Sequence, residues 1–217
     1  MPSDKAVVHV IDDDEAVRQS LAFLLGTAGL EVRTYDSATA FLDAVSNVAE
    51  GCVITDVRMP GISGIELLRR LRKLKLAVPV IVITGHADVP LAVEAMKIGA
   101  ADFLEKPFDD EVLLASVRSA LNALDRDRKR EAERSEIQGR LAGLSSRERD
   151  VLEGLVAGQA NKQIAHGLGI SPRTIEIYRA NLMTKMQAAS LSDLVRMAMI
   201  AGIIGPESDT GLSSAEG

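Results

Sequence analysis

Val7-Val8-His9-Val10-Ile11-Asp12-Asp13-Asp14 is the stretch on which the fold turns. Four β-branched residues and a histidine run without polar alternation and stop at three acids. A strand that is apolar on both faces must be covered on both faces, as a strand inside a parallel sheet is. Similar runs return at Glu31-Val32-Arg33-Thr34-Tyr35, Cys52-Val53-Ile54-Thr55, Val78-Pro79-Val80-Ile81-Val82-Ile83 and Ala101-Asp102-Phe103-Leu104. Between them lie segments of helical period, at 15–28, 38–45, 64–73 and 89–98, and another from Asp110 to about Leu124. Five such units predict an α/β fold with a doubly wound, five-stranded parallel sheet, whose binding crevice opens at the carboxyl ends of the strands.

The remainder of the chain reads differently. From Leu121 to about Arg140 no proline intervenes and charged residues dominate, with acids and bases three and four apart. That pattern favours an exposed helix continuing the one before it, the alternative being a flexible charged tether. Residues 141–204 contain no strand-like run and read as all helical, while the tail from Gly205 has too little apolar surface to fold. The expected division is therefore 5–123, a helical linker over 124–140, a helical module over 141–204 and a disordered tail over 205–217. A length of 217 residues suits two domains, each with its own core.

Composition narrows the class. With 47% hydrophobic and 26% charged residues the chain is not disordered, and 17 Gly, 7 Pro and one Cys exclude collagen-like and disulfide-scaffold classes. No apolar run approaches the roughly 18 residues that span a bilayer. The first residues do not resemble a signal peptide, so a soluble, cytoplasmic protein without a membrane partner is expected. Charge is uneven: net −6 over 1–123, +1 over 124–140, +2 over 141–204 and −3 over 205–217. Any polyanion would meet the second module.

The ends of the apolar runs carry chemistry. Asp12, Asp13 and Asp14 close the first, Asp56 the third and Thr84 the fourth, while Lys106, followed by Pro107, closes the fifth. In a parallel sheet these side chains converge on one crevice. Clustered carboxylates repel one another and persist mainly where a cation neutralises them, and hard oxygen donors favour Mg²⁺. His9, His86, His166 and Cys52 are too scattered for zinc. Acids, a hydroxyl, a lysine and Mg²⁺ together are the parts of a phosphoryl-transfer site. Singly, each has a plainer reading: a helix cap at Asp12–Asp14, a strand residue at Thr84 and a solvated end at Lys106.

Taken together, residues 5–123 resemble the receiver domain of bacterial two-component response regulators. The match lies in Asp12-Asp13, in Thr55-Asp56-Val57-Arg58-Met59-Pro60-Gly61-Ile62-Ser63-Gly64, in Ile83-Thr84-Gly85 and in Phe103-Leu104-Glu105-Lys106-Pro107-Phe108. The resemblance implies Asp56 as phosphoacceptor and Asp13, Asp56 and the Arg58 backbone carbonyl as Mg²⁺ ligands, with Asp12 acting largely through water. It also implies Thr84 and Lys106 as holders of phosphoryl oxygens, Phe103 as the aromatic switch, and a histidine kinase as donor. A rival resemblance, to haloacid-dehalogenase-type phosphatases, would make Asp12 the nucleophile and Asp14 the general acid. It has Ala16 where Thr or Val is usual, leaves the run after Asp56 unexplained and has no use for the second module.

In that module Ser145 and Glu148 form a capping box before Val151, Leu152, Leu155 and Val156. A second helix with Ile164, Ala165 and Leu168 on one face breaks at Gly169, and Ser171-Pro172 opens a third. A fourth runs from about Ser190 to Gly202. In the third, Ile175, Tyr178, Leu182 and Met186 recur at helical spacing, opposite Arg173, Glu176, Arg179 and Lys185. Two helices joined by a glycine-containing turn, the second with a basic polar face, are the parts of a major-groove reader; a generic helical interaction module is the plainer alternative. The module resembles the LuxR/NarL-type helix-turn-helix in Leu144-Ser145-x-Arg147-Glu148, Asn161-Lys162-x-Ile164-Ala165, Ile170-Ser171, Thr174-Ile175-Glu176, Tyr178-Arg179 and Lys185-Met186. On Met59-Pro60-Gly61, on Thr84-Gly85-His86 with Asp88-Val89-Pro90-Leu91-Ala92-Val93-Glu94-Ala95-Met96-Lys97, on Ser171-Pro172-Arg173-Thr174-Ile175-Glu176 and on Tyr178-Arg179-Ala180-Asn181, the subtype looks closest to the FixJ group, which implies microaerobic or nitrogen-fixation gene control. Lys162, Arg173, Thr174, Glu176, Arg179 and Lys185 become candidate contacts to double-stranded promoter DNA, with Lys162 and Lys185 on phosphates. RNA polymerase as a partner and a homodimer on phosphorylation, through a face around Val89, Leu91, Met96 and Phe103, follow from the resemblance. The alternative is the same architecture answering another kinase, or with a protein-mediated or phosphorylation-independent output. Cys52, the methionines, Tyr35 and Phe41 read as packing, and His86 as a loop residue.

Overall fold

The computed structural model describes residues 7–44, 51–86 and 89–204. The expected tail over 205–217 and the last residue of the expected helix over 38–45 lie outside them. The chain divides into two compact units, Met1–Arg128 and Lys129–Gly217.

In the first unit the elements alternate: β1 (Val7–Ile11), α1 (Glu15–Thr27), β2 (Glu31–Tyr35), α2 (Ala38–Ala44), β3 (Gly51–Asp56), α3 (Gly64–Lys73), β4 (Val80–Thr84), α4 (Val89–Ile98), β5 (Asp102–Glu105) and α5 (Asp110–Ala142). The sheet has the order β2-β1-β3-β4-β5 and every neighbouring pair is parallel. Successive strand residues face opposite sides. Val8, Val10, Cys52, Ile54, Ile81 and Ile83 meet Leu21 and Leu25 of α1 and Leu113, Leu114 and Val117 of α5. Ile11, Val53, Val80 and Val82 meet Phe41 of α2, Ile65, Leu67, Leu68 and Leu71 of α3, and Ala95 of α4. β1, β3 and β4 are wholly buried, which is why their runs show no alternation. β2 departs from that expectation: as an edge strand it exposes Glu31, Arg33 and Thr34. Burial also pushes the Cys52 thiol up to about 12, leaving it an inert core residue.

The charged stretch after residue 124 is helical, since α5 runs unbroken from Asp110 to Ala142. The second unit contains its last turns, then α6 (Ser146–Val156), α7 (Asn161–Leu168), α8 (Pro172–Met186) and α9 (Leu191–Ile200). Its core joins Leu144, Val151, Leu152, Leu155, Ile164, Ala165, Ile175, Leu182, Met186, Leu194 and Met197. This core reaches back to Ile137, 3% exposed, so its packing begins before the boundary at 141 that the sequence suggested. The physical reason is that Ile137 stands among charged residues one turn ahead of Leu141, too short a run to show a clear periodicity. Glu133 supports the docking with a 2.5 Å contact from Arg196 Nη1, and Arg140 Nη1 donates to the Met186 carbonyl at 3.0 Å.

Candidate functional site

The register sets the first site. Ile11 lies opposite Thr55, Asp56 opposite Ile83, and Thr84 opposite Glu105. Asp12, Asp56, Thr84 and Lys106 are thereby lined up along the carboxyl edge of four adjacent strands, at the point where the strand order reverses between β1 and β3. Lys106 Nζ donates to Asp12 Oδ2 and Asp56 Oδ1, each at 2.8 Å. Asp12 is 2% and Asp56 6% exposed. The ammonium is the bridge that makes two neighbouring buried carboxylates tolerable. Burial works to lower the Lys106 pKa, but its hydrogen bonds to Asp12 and Asp56 and their charges outweigh that, and the net direction is upward.

Backbone groups fix the rest. The Arg58 N–H donates to Asp56 Oδ2 at 2.5 Å and the Asp14 N–H to Asp12 Oδ1 at 3.0 Å. Arg18 Nη1 holds the Asp12 carbonyl at 2.7 Å. The chain leaving Asp56 is pinned by Val57 N–H on the Ile83 carbonyl, 2.9 Å, and by Gly64 N–H on the Val57 carbonyl, 3.1 Å. Gly64 is demanded by space: a Cβ there would stand 2.2 Å from the Asp56 carbonyl oxygen. The Lys106 N–H donates to the Thr84 carbonyl at 2.7 Å, and the Lys106–Pro107 peptide is cis. Thr84 is fully buried, and its hydroxyl is turned toward its own loop, accepting from the His86 N–H at 3.2 Å and donating to the His86 carbonyl at 3.3 Å. Phe103 is half-buried and packs on the same cluster as Leu91, while Val89 and Met96 are exposed on α4.

Asp12, Asp13 and Asp56 carry three formal negative charges against one on Lys106. The surplus of two, on hard oxygens, fits a divalent cation such as Mg²⁺. Asp13 stands exposed beside the buried pair, and among the described residues no group of three or more His, Cys, Asp or Glu side chains forms a ready metal cage. Among the described residues, Asp12 and Asp56 are the carboxylates that converge here, and both hold the lysine. The phosphatase reading fails on geometry: Asp14 is exposed and its carboxylate accepts from the Ala16 N–H at 2.8 Å, so it caps α1 and is not poised as an acid.

The second site is the outer surface of α8. Gly169, in the left-handed region at φ 64°, ends α7, and Ser171 caps α8 by accepting from the Thr174 N–H at 3.1 Å. The Thr174 hydroxyl lies 2.8 Å from that of Ser171, which ties it to the cap. Gly154 lets α6 approach α7, for a Cβ there would meet Ile164 Cγ1 at 2.7 Å. Arg173 and Glu176 are exposed and, with Ile177 and Ala180, line a shallow concavity. Arg179 is half-buried, its Nη1 3.4 Å from Asn161 Oδ1. Lys162 is exposed in the first turn of α7.

Lys185 has a partner inside the module. Its Nζ is 2.7 Å from Glu148 Oε2, a carboxylate 5% exposed that also accepts from the Ser145 N–H at 2.7 Å and hydroxyl at 2.9 Å. The Lys185 hydrogen bond, followed by that of the Ser145 backbone, holds the Glu148 carboxyl below the usual range. The lysine therefore neutralises the capping carboxylate of α6, with 44% of its side chain still in solvent. Sequence spacing showed its face but not its partner. It found the capping box but not the burial of Glu148, and it did not single out Gly64.

Known proteins supply a second line of comparison. Residues 8–118 match the response regulator receiver domain family, and residues 142–198 the family of bacterial regulatory proteins, luxR family. The transcriptional regulatory protein FixJ of Azorhizobium caulinodans is 63% identical over 196 residues, covering 90% of this chain and 93% of the relative. Among solved structures, full-length FixJ from B. japonicum is 56% identical, with a TM-score of 0.59, covering 92% of this chain and 98% of that one. The response regulator StyR is 39% identical with a TM-score of 0.79, covering 90% and 98%.

Proposed function

The chain belongs to the two-component response regulators with a receiver and a LuxR-type DNA-binding domain, FixJ-like and not an enzyme, and from that premise we propose that phosphorylation of Asp56 controls its occupancy of promoter DNA. The observation that carries this reading is Asp56 itself: a buried carboxylate at the central strand end, oriented by the Arg58 N–H and flanked by a lysine.

A receiver implies a histidine kinase, and the transfer balances simply. One Asp56 oxygen attacks the phosphorus, forming an O–P bond as the N–P bond of the kinase phosphohistidine breaks, and the imidazole leaves to be reprotonated by water. Lys106 can swing from the carboxylates to a phosphoryl oxygen while Asp12 keeps the site anionic. Thr84 supplies a hydroxyl once it turns from the loop, and Phe103 follows into the space that Thr84 vacates. Asp12, Asp13, Asp56 and the Arg58 carbonyl would hold Mg²⁺, which when bound offsets the charge on the phosphoryl oxygens.

Phosphorylation adds roughly −1.5 to −2 charge. The face around Val89, Leu91, Met96 and Phe103 then joins two copies, and the pair presents two α8 helices to a near-palindromic site. Arg173, Thr174, Glu176 and Arg179 meet the DNA and Lys162 a phosphate. RNA polymerase as the downstream partner, a cytoplasmic location and microaerobic control fit the FixJ likeness. The test is the number of phosphoryl groups taken up from a small phosphodonor with Mg²⁺, by intact mass: one on the native chain and none on Asp56→Asn.

A further inference from the structure

Ile175, Leu182 and Met186 are the buried residues of α8, so its open face is the one opposite. On that face Arg173, Ile177, Ala180 and Thr184 follow at spacings of four, three and four, and all are exposed. They form one stripe. Ile177 stands in its middle with 57% of its surface exposed. Its neighbours in the shallow concavity are Arg173 and Glu176 at the rim and Ala180, whose small side chain keeps the floor low. Arg179 is drawn aside toward Asn161, on the α7 side of the helix. The centre of the reading surface is thus apolar, with charge at its edges. A β-branched residue lowers helix propensity slightly, and more than half of this one is left in solvent.

The geometry points to Ile177 as a specificity-determining residue that reads thymine through its 5-methyl group, with Ala180 admitting the base edge. The thymine methyl is the apolar group that a major groove offers, and an aliphatic side chain at the middle of the inserted helix is its complement. This rests on the DNA-reading function proposed above and adds the base that the function selects. It also divides the labour of α8, with Arg173 and Glu176 contacting hydrogen-bonding groups and Ile177 contacting a group that forms no hydrogen bonds.

The test uses the phosphorylated full chain to select duplexes from random-sequence DNA, then remakes the most enriched duplex with each thymine in turn replaced by uracil. Uracil keeps the hydrogen-bonding edge and loses only the methyl. A single replacement in one half-site should weaken binding roughly fourfold, the factor equivalent to about 0.8 kcal/mol for one buried methyl. Ile177→Ala should bind thymine and uracil duplexes alike, and Ile177→Gln should enrich a different base at that position, with both variants melting as the native chain does. Enrichment without sensitivity to any uracil, or sensitivity that persists in Ile177→Ala, overturns the inference and leaves DNA reading standing. Failure to enrich any sequence overturns both.

Discussion

At the strand ends, Asp12 and Asp56 are nearly shut off from solvent and share one ammonium, whereas on α8 Arg173, Glu176 and Ile177 stand in solvent around a shallow concavity. The first arrangement gathers residues from positions 12 to 106 and depends on strand register. The second takes its residues from two turns of one helix and depends on how that helix is held. A buried charged cluster couples chemistry to the packing around it, because moving one charge leaves another uncompensated. An exposed face instead reads its partner additively, side chain by side chain. Switch and reader therefore need different physics, and substitutions in the two units should fail in different ways.

The sharpest break is at the switch. Asp56→Asn should abolish phosphoryl uptake outright while leaving a folded receiver, because the amide keeps the shape of the group but not its nucleophilic charge. Next in size, Gly64→Ala should destabilise the receiver by about 3 kcal/mol, the upper range for forced overpacking, since its Cβ would collide with backbone that cannot rotate away. Chemical denaturation of the full chain should show that transition shift while the transition of the helical unit stays in place. In the helical unit, Lys185→Ala should destabilise by about 2 kcal/mol, leaving Glu148 buried without its cation, and Lys185→Arg should recover most of that. Neither change should alter the salt dependence of DNA affinity, whereas Lys162→Ala should flatten it by a slope of about one.

The smallest effect is one of pH. Because the Glu148 carboxyl is held below its ordinary value of 4.5, it contributes stability above that pH and loses it as the pH falls through the lowered value. Glu148→Gln should flatten the acid arm of the helical unit's stability below pH 4.5, read from denaturation midpoints across pH, and leave the receiver's acid arm unchanged.

The charged strand ends were legible in the sequence because each closes an apolar run, and a parallel sheet then brings such ends together without further information. The turn at Gly169 and the caps at Ser145 and Ser171 were legible because those residues act locally. Contacts between distant elements were not. Lys185 and Asn161 fall at positions where a solvated residue and a bonded one look the same in sequence. Ile137 was hidden in a charged helix, and the edge position of β2 is set by strand order, which no strand carries in itself. The Thr84 hydroxyl belongs with these, since only packing decides whether it faces the loop or Asp56.

The measurement that bears most directly on the link between the two units is DNA affinity of the full chain for one selected duplex, with and without a small phosphodonor and Mg²⁺, for the native protein and Asp56→Asn. Phosphorylation should tighten native binding by roughly tenfold or more through paired half-site occupancy, and should leave Asp56→Asn at the unphosphorylated value. Equal affinity of the native chain in both conditions, or equal tightening of Asp56→Asn, would contradict control of the reading helix by Asp56.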